Sequence, residues 1–259
     1  MATADPFAVF YSQTAVGRPG EGAGTDAGLG LWPKEYPDAE VVALPRSESL
    51  SRKSLWRVLA SRRSRRSWRV WPMRYADLGV LCEQAAGVTG FMEAYGFSMF
   101  PQRAFPSPGG LQSTEMYIAY GEHVFSDAPQ SEGVFHYRAV GHRLERLAGY
   151  GVTQGVVESL RRQQPWFDSG VPLLVVLTVD YARLRRKYGV AAGRLAAMEV
   201  GWLGQNIYLV GEALDLSICA LNGADDNAVA QMLGFGMTIA GEYPMLVIGV
   251  GPGPSYVVE

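Results

Sequence analysis

Cysteine, histidine and long apolar runs are scarce in this chain, and each scarcity closes off a class of protein. Two cysteines among 259 residues, Cys82 and Cys219, stand far apart in apolar surroundings with no CxxC pair, so no disulfide framework is expected. The three histidines have no metal-ligand spacing to a cysteine, and a zinc site is not expected either. The longest nearly uninterrupted apolar stretch, Val171 to Val179, is about half of what a membrane-crossing helix needs. Met1 to Phe10 has neither a basic n-region nor an apolar h-region. The expected protein is therefore cytoplasmic, with no membrane partner. GxxxxGK[ST], HExxH and GxSxG patterns are absent as well, which leaves P-loop hydrolysis, zinc proteolysis and the common serine hydrolases without support.

What the chain does hold is apolar mass and a charge asymmetry. Hydrophobic residues make up 48% of it, enough to bury a core of ordinary size. The formal net charge is −2, yet nine of the 23 basic residues fall between Ser51 and Arg74, where there is no acid. An anion is expected there. Nucleic acid is not, because the chain as a whole is slightly acidic and carries no recognisable nucleic-acid-binding motif.

Gly17 to Gly30, rich in glycine and small polar residues, cannot bury enough apolar surface to order itself. Residues 1–50 are accordingly read as an extension, partly loose or draped over a partner, and 51–259 as one domain. Leu55, Val58 and Leu59 recur at helical spacing after Ser51, a candidate cap, and predict a helix ending near the arginine cluster. A second helix is expected over Tyr75 to Ala86 with Gly87 past its end. Glu115 to Tyr120 reads as a strand and Val124 to Arg138 as a hairpin bent at Asp127 to Gly133. His142 to Leu147 and Gly155 to Gln163 read as short helices, and Pro172 to Val179 as a strand buried on both faces. Val190 to Leu214, apolar on several faces, predicts a central helix. A strand (Leu216 to Leu221), a helix (Asp226 to Leu233, capped by Asp225) and a last strand (Pro244 to Val250) follow. Without a steady βαβ alternation the fold class is α+β.

Some patterns carry little. Gly249, Gly251 and Gly253 lack dinucleotide-fingerprint spacing, and no helix can follow them. His123, His136 and His142 read as surface or hydrogen-bonded side chains. Three segments carry more. Arg62, Arg63, Ser64, Arg65 and Arg66 directly follow a helix, and forked guanidinium groups beside a hydroxyl suit a terminal phosphate; a solvated basic face is the plain alternative. The second segment runs from Arg103 through Pro106, Ser107 and Gly109 to Gln112. Its glycines let backbone approach a flat ligand and Ser107 can bond its edge, although a turn alone would also use them. Asn222 and Gly223 follow the strand after the long helix, where exposed amides could meet a cofactor nitrogen or simply form a turn.

Taken in order, these segments resemble the FMN-dependent nitroreductase family, and within it the SagB-type thiazoline/oxazoline dehydrogenase branch. Arg62-Arg-Ser-Arg-Arg is similar to the basic entry motif that holds the FMN phosphate. Arg103, Pro106-Ser107, Gly109, Leu111, Glu115 and Tyr117 resemble the branch pattern RxYPSGGALYPxExY. Lys187-Tyr188-Gly189, Glu199-Val-Gly201, Gln205-Asn206 and Tyr208-Leu209 resemble KYG…EAGHxxQNxYL. Pro108 and Gln112 depart from that pattern in one wall of the pocket, Trp202 stands where the branch has histidine, and GVGPGP lacks a basic residue. The resemblance covers about Ser51 to Gly251. It implies a nitroreductase-like α+β fold, with a mostly antiparallel central sheet, flanking helices and a long buried helix. It also implies a homodimer and FMN held by Arg62, Arg63, Ser64, Arg66, Arg103, Pro106, Ser107, Gly109, Gln205, Asn222 and Gly223.

The same resemblance places Lys187 and Tyr188 as the proton-abstracting pair in oxidation of a peptide or carrier-bound azoline to the azole, with dioxygen as final acceptor. A lysine base must be partly neutral, and Arg183, Arg185 and Arg186 nearby are expected to lower its pKa. A cyclodehydratase or a carrier protein would then be a natural partner. The alternatives are an NAD(P)H-dependent nitro or quinone reductase, which needs no such base, and a non-catalytic scaffold of the same fold that binds a partner enzyme or peptide.

Overall fold

The computed structural model describes residues 6–14, 33–46, 53–69, 72–127, 132–164, 166–167, 173–235 and 241–256. In chain order these form α1 (Pro6–Gln13), β1 (Glu40–Ala43), α2 (Leu55–Ser61), α3 (Tyr75–Ala86), β2 (Val88–Ala94) and β3 (Phe97–Arg103). Next come β4 (Thr114–Tyr120), β5 (Gly133–Arg138), β6 (Arg143–Ala148), α4 (Gln154–Gln163), β7 (Leu173–Asp180) and α5 (Tyr181–Tyr188). The chain closes with α6 (Ala192–Ala213), β8 (Leu216–Ala220), α7 (Asp226–Met232) and β9 (Glu242–Pro252). The fold is α+β, as the mixed element order predicts.

The apolar run LLVVLTVD becomes β7, buried along nearly its whole length. It sits inside a seven-stranded sheet of order β1-β6-β5-β4-β7-β9-β8, in which every neighbouring pair is antiparallel. A strand with sheet on both sides and helices above and below needs no polar face. One face of the sheet buries Met116, Ile118, Val175 and Leu177 against α3 and α6. The other buries Tyr117, Val176 and Cys219 against α4 and α7.

Local signals set several boundaries. Tyr75–Ala86 ends at Gly87, whose amide closes on Glu83. Asp225 caps α7 by accepting from the Ala228 amide at 3.0 Å. The cap of α2 is Ser54, which accepts from the Arg57 amide; Ser51 lies outside the described residues, as do Gly17 to Gly30. The helix expected over Val190 to Leu214 starts at Ala192 after a single 3-10 turn. It packs on α3 and the sheet, while Ala197, Met198, Gly201 and Gln205 remain exposed along one side.

Two expectations are corrected. His142 to Leu147 is no helix: Arg143–Ala148 is the strand β6, held between β1 and β5. Leucines three apart in so short a run fit either structure, and pairing with distant strands decides. Val124 to Arg138 is not a hairpin on itself, because β5 pairs with β4 and β6. Phe125 instead bridges Met73, whose amide donates to the Val124 carbonyl at 2.7 Å; within the expected bend, residues 128–131 lie outside the described ones. Among the pieces not foreseen are helix α1, the β2–β3 hairpin and the edge strand β1. Near β1, Lys34 reaches Tyr117 Oη at 2.8 Å and Glu242 at 2.5 Å, so residues 33–46 are fastened to the sheet. No helix among the described residues is long and apolar enough to cross a membrane.

Candidate active site

Helix α5 is short, strongly basic and fixed at its start. Asp180 caps it by accepting from the Arg183 amide at 3.3 Å. The Arg183 side chain turns inward, 5% exposed, and ion-pairs with Glu115 at 2.8 Å and Asp180 at 2.9 Å. It also donates to the Gln112 carbonyl at 2.7 Å. One guanidinium thereby ties α5 to β4 and to the loop before it. Burial alone would raise the Glu115 carboxyl, but Arg183 and His136 beside it hold it down at about 2.

This anchoring brings the last residues of α5 against the loop Ser107 to Gly110. Gly109 has a φ of +60°, where L side chains are strained. A Cβ there would lie 2.6 Å from Tyr188 Oη, 2.8 Å from Lys187 Nζ and 3.2 Å from Tyr95 Oη. Three polar groups from two segments, the β2–β3 turn and the end of α5, thus converge on a position without a side chain. Lys187 Nζ donates to Tyr95 Oη at 2.8 Å, and Tyr95 Oη donates in turn to the Gly109 carbonyl. The hydrogen bond to Tyr95 pushes the Lys187 pKa up. The expected depression by neighbouring arginines does not occur: the Arg183 charge is paired with Glu115 and Asp180, and the bond to Tyr95 outweighs the lowering by burial.

The rest of the loop is built for shape. Ser107 Oγ accepts from the Gln112 amide at 2.7 Å and faces the buried Glu199 of α6. Glu199 accepts from Ser113 Oγ at 2.6 Å and from the Thr114 amide at 3.2 Å; burial pushes its carboxyl up. Gln112, at a φ of +51°, is buried and donates to the Pro101 carbonyl. The Arg103 Nε donates to the Ala86 carbonyl at 2.5 Å and its guanidinium lies 5.3 Å from the Phe105 ring centre. Pro106 is exposed at the loop's edge.

The basic cluster lies beside a lower stretch of α6. The Arg62 guanidinium sits 5.4 Å from the Tyr208 ring centre, and Ser64 Oγ is 3.2 Å from Tyr208 Oη. Arg66 covers the Trp166 ring at 5.2 Å. Among the described residues no carboxylate pairs with Arg62, Arg63 or Arg66, whereas Arg65 is ion-paired with Glu212. Arg63 is exposed and donates to the Ala60 and Arg62 carbonyls. Gln205 is exposed one turn before Tyr208 on the same helix face. Glu199 and Tyr208, the helix's contacts to the two clusters, are nine residues apart, about 13 Å of helix rise. Asn206, close to Tyr208 on that helix, donates to the Ala104 carbonyl and joins the loop to it.

Asn222 and Gly223 stand in a turn after β8. With the Gln164 amide turned so that its oxygen faces them, it accepts from both backbone amides, at 3.0 and 2.7 Å. Those donors are engaged within the chain.

The sequence reading missed Tyr95, Tyr208 and Trp166 as site residues. Tyr208 stood within the QNxYL resemblance. Tyr95 had one local signal, the Tyr95-Gly96 turn, with φ of +53° and +81°, and nothing that placed it near residue 187. Among the described residues no group of three or more His, Cys, Asp or Glu side chains could hold a metal ion.

Comparison with known proteins gives this arrangement a family. The Nitroreductase family model matches residues 59–252. A protein of Methanocaldococcus jannaschii bearing the name nitroreductase is 28% identical over 214 residues, 83% of this chain and 97% of the relative. A crystal structure of a Ralstonia eutropha protein named for the same activity superposes with a TM-score of 0.65 at 23% identity, covering 87% of this chain and 95% of that one. The E. coli microcin synthetase McbBCD complex with truncated pro-MccB17 bound contains a chain with a TM-score of 0.61 at 20% identity. It covers 86% of this chain and 80% of that one. At such identities the two solved structures share the fold. Matched by the family model over most of its length, the chain belongs to the nitroreductase family of oxidoreductases.

Proposed function

We propose that this protein is an FMN-dependent oxidoreductase of the SagB-type branch that oxidises a thiazoline or oxazoline ring, on a peptide or a carrier-bound intermediate, to the azole. The observation that carries the reading is the convergence of Lys187 Nζ and Tyr188 Oη on the Gly109 turn. Aromatising an azoline removes a proton from one ring carbon and a hydride from its neighbour, so the chain must supply a proton acceptor. When bound, FMN supplies the two-electron acceptor, with dioxygen to regenerate it.

The residues present fit that cofactor in two of three places. Arg62, Ser64 and Arg66, without carboxylate partners among the described residues, suit a phosphate dianion. Gly109 and Gly110 offer a turn open to a flat ring, since a Cβ at Gly110 would meet nothing within 4 Å. The Asn222 and Gly223 amides are already engaged by Gln164, so a ring nitrogen would have to displace that side chain. Lys187 accepts the substrate proton once it has lost its own, and Tyr188, beside it, orients the ring to be oxidised.

A homodimer accompanies this reading. Leu55, Trp56 and Leu59 expose an apolar face of α2, and α6 exposes Met198 beside small residues; together they suit a second copy. The microcin synthetase structure holds a chain of this fold in a complex with truncated pro-MccB17 bound; we propose a cyclodehydratase or carrier protein as the partner of the present chain. A second reading, nitro or quinone reduction fed by NAD(P)H, is favoured by one observation: the bond to Tyr95 raises the Lys187 pKa, and that chemistry needs no lysine base. Mass spectrometry of an azoline peptide incubated with the flavin-loaded protein separates the two. A loss of two hydrogens that disappears in Lys187→Ala supports azoline oxidation. Nitroaromatic reduction that survives Lys187→Ala, with no azoline turnover in either protein, selects the reductase.

A further inference from the structure

We infer that Tyr95, at the turn of the β2–β3 hairpin, is a positioning residue for Lys187, clasping its ammonium over the Gly109 turn. The phenol oxygen accepts from Lys187 Nζ at 2.8 Å while its own proton goes to the Gly109 carbonyl. A single hydroxyl therefore spans helix α5 and the glycine turn, segments that share no sequence neighbourhood. The hairpin is shaped to deliver it. Tyr95 and Gly96 both take positive φ, and the Tyr95 ring packs edge-on against the buried Phe100 at 5.6 Å. Positive φ at a bulky aromatic residue is uncommon and persists where the surroundings hold it.

The titratable groups facing Lys187 are Tyr95 from the hairpin and Tyr188 from α5, whose ring centres lie 5.0 and 5.6 Å from Nζ. On the same helix Arg183 is turned inward onto Glu115 and Asp180, and Arg185 and Arg186 are exposed. An acceptor oxygen on the ammonium favours its charged form. In the resting protein the lysine is thus placed and protonated, and a ligand that displaces the phenol as it enters lets the ammonium release its proton to bulk solvent and become a base. This last consequence rests on the proposed function; the clasp itself does not.

The chain has three lysines, Lys34, Lys53 and Lys187, so reductive 13C-dimethylation gives a spectrum simple enough to titrate in the full-length protein. A dimethylated ammonium keeps one N–H, which suffices for the bond to Tyr95. The Lys187 signal is the one lost in Lys187→Arg. In Tyr95→Phe it is expected to titrate at lower pH than in wild type, while the Lys34 and Lys53 signals stay in place and report an intact fold. Gly109→Ala, whose methyl would enter the space between Nζ and the two phenols, should move Lys187 in the same direction. Superimposable Lys187 curves in wild type and either folded variant would overturn the clasp. Azoline oxidation surviving Lys187→Ala would refute the proposed base and leave the titration shift untouched, so the two failures are told apart.

Discussion

Arg183→Met removes the fastening that carries Lys187 to its place, and its cost follows from burial. The guanidinium is 5% exposed and ion-pairs with Glu115, itself 4% exposed. Methionine fills most of the same volume but leaves Glu115 with a hydrogen bond to His136 and only the through-space charge of Arg103 in place of the ion pair. Breaking a buried pair by deleting one member costs about 3–5 kcal/mol. At about 2–4 °C per kcal/mol for a chain of this size, the midpoint of thermal unfolding should fall by about 6–20 °C. The effect carries a pH signature. Glu115 is held at about 2, well below its ordinary range, so its contribution is present above about pH 4.5 and is lost as pH falls towards 2. The gap between wild type and variant should therefore be widest near neutrality and narrow in acid. Replacing Glu115 as well, in Arg183→Met/Glu115→Leu, takes out both charges and should restore part of the loss. Calorimetry across that pH range tests all three statements. A midpoint lowered by less than about 2 °C, which is under about 1 kcal/mol, would refute the reasoning, and so would strict additivity in the double variant.

Two further outcomes follow from charge placement. Arg62→Ala and Arg66→Ala each remove a guanidinium from the proposed phosphate site, and at about 1.5–3 kcal/mol per charge-assisted bond each should weaken FMN binding about 10- to 100-fold. Flavin fluorescence titration reads this, and unchanged affinity in both variants would move the phosphate elsewhere. His136 lies between Glu145 at 2.9 Å and Glu115 at 3.2 Å; burial opposes its charge, but the two carboxylates outweigh burial and raise its pKa. Its stabilising contribution is then complete below about pH 6.5 and fades as pH rises through the higher folded value. The stability gap between wild type and His136→Gln, followed by urea unfolding, should shrink on going alkaline; a gap independent of pH contradicts the charged assignment.

What could be read from the sequence was whatever is decided within one turn or one strand. The stripe of Leu78, Leu81 and Cys82 with Gly87 behind it marks α3, and the apolar run from Leu173 marks a strand covered on both sides. The Asp225 cap marks α7 for the same local reason. Where pairing across the sheet decides, local spacing misleads: Arg143–Ala148 fits a helix until β1 and β5 are set beside it. The site divides in the same way. Arg62, Ser64 and the Gly109 turn were visible as dense, unusual chemistry in short stretches. The charge of Lys187 was not, because Arg183 looks like a repelling neighbour in sequence and is cancelled in space by Glu115. Tyr95 is 92 positions from Lys187, and no periodicity connects the two.

The two glycines of the turn show how the arrangement divides its tasks. Both have positive φ, +60° at Gly109 and +70° at Gly110, so either would strain an L residue and backbone shape alone would explain both. Their surroundings differ. A Cβ at Gly109 would strike the two phenols and the lysine, whereas one at Gly110 would meet nothing within 4 Å. Glycine at 109 is therefore required by the polar groups gathered above it, and glycine at 110 by the bend and the open space beside it. Tyr95 and the end of α5 thus close over Gly109, while the space beside Gly110 stays free for a ligand's backbone contact.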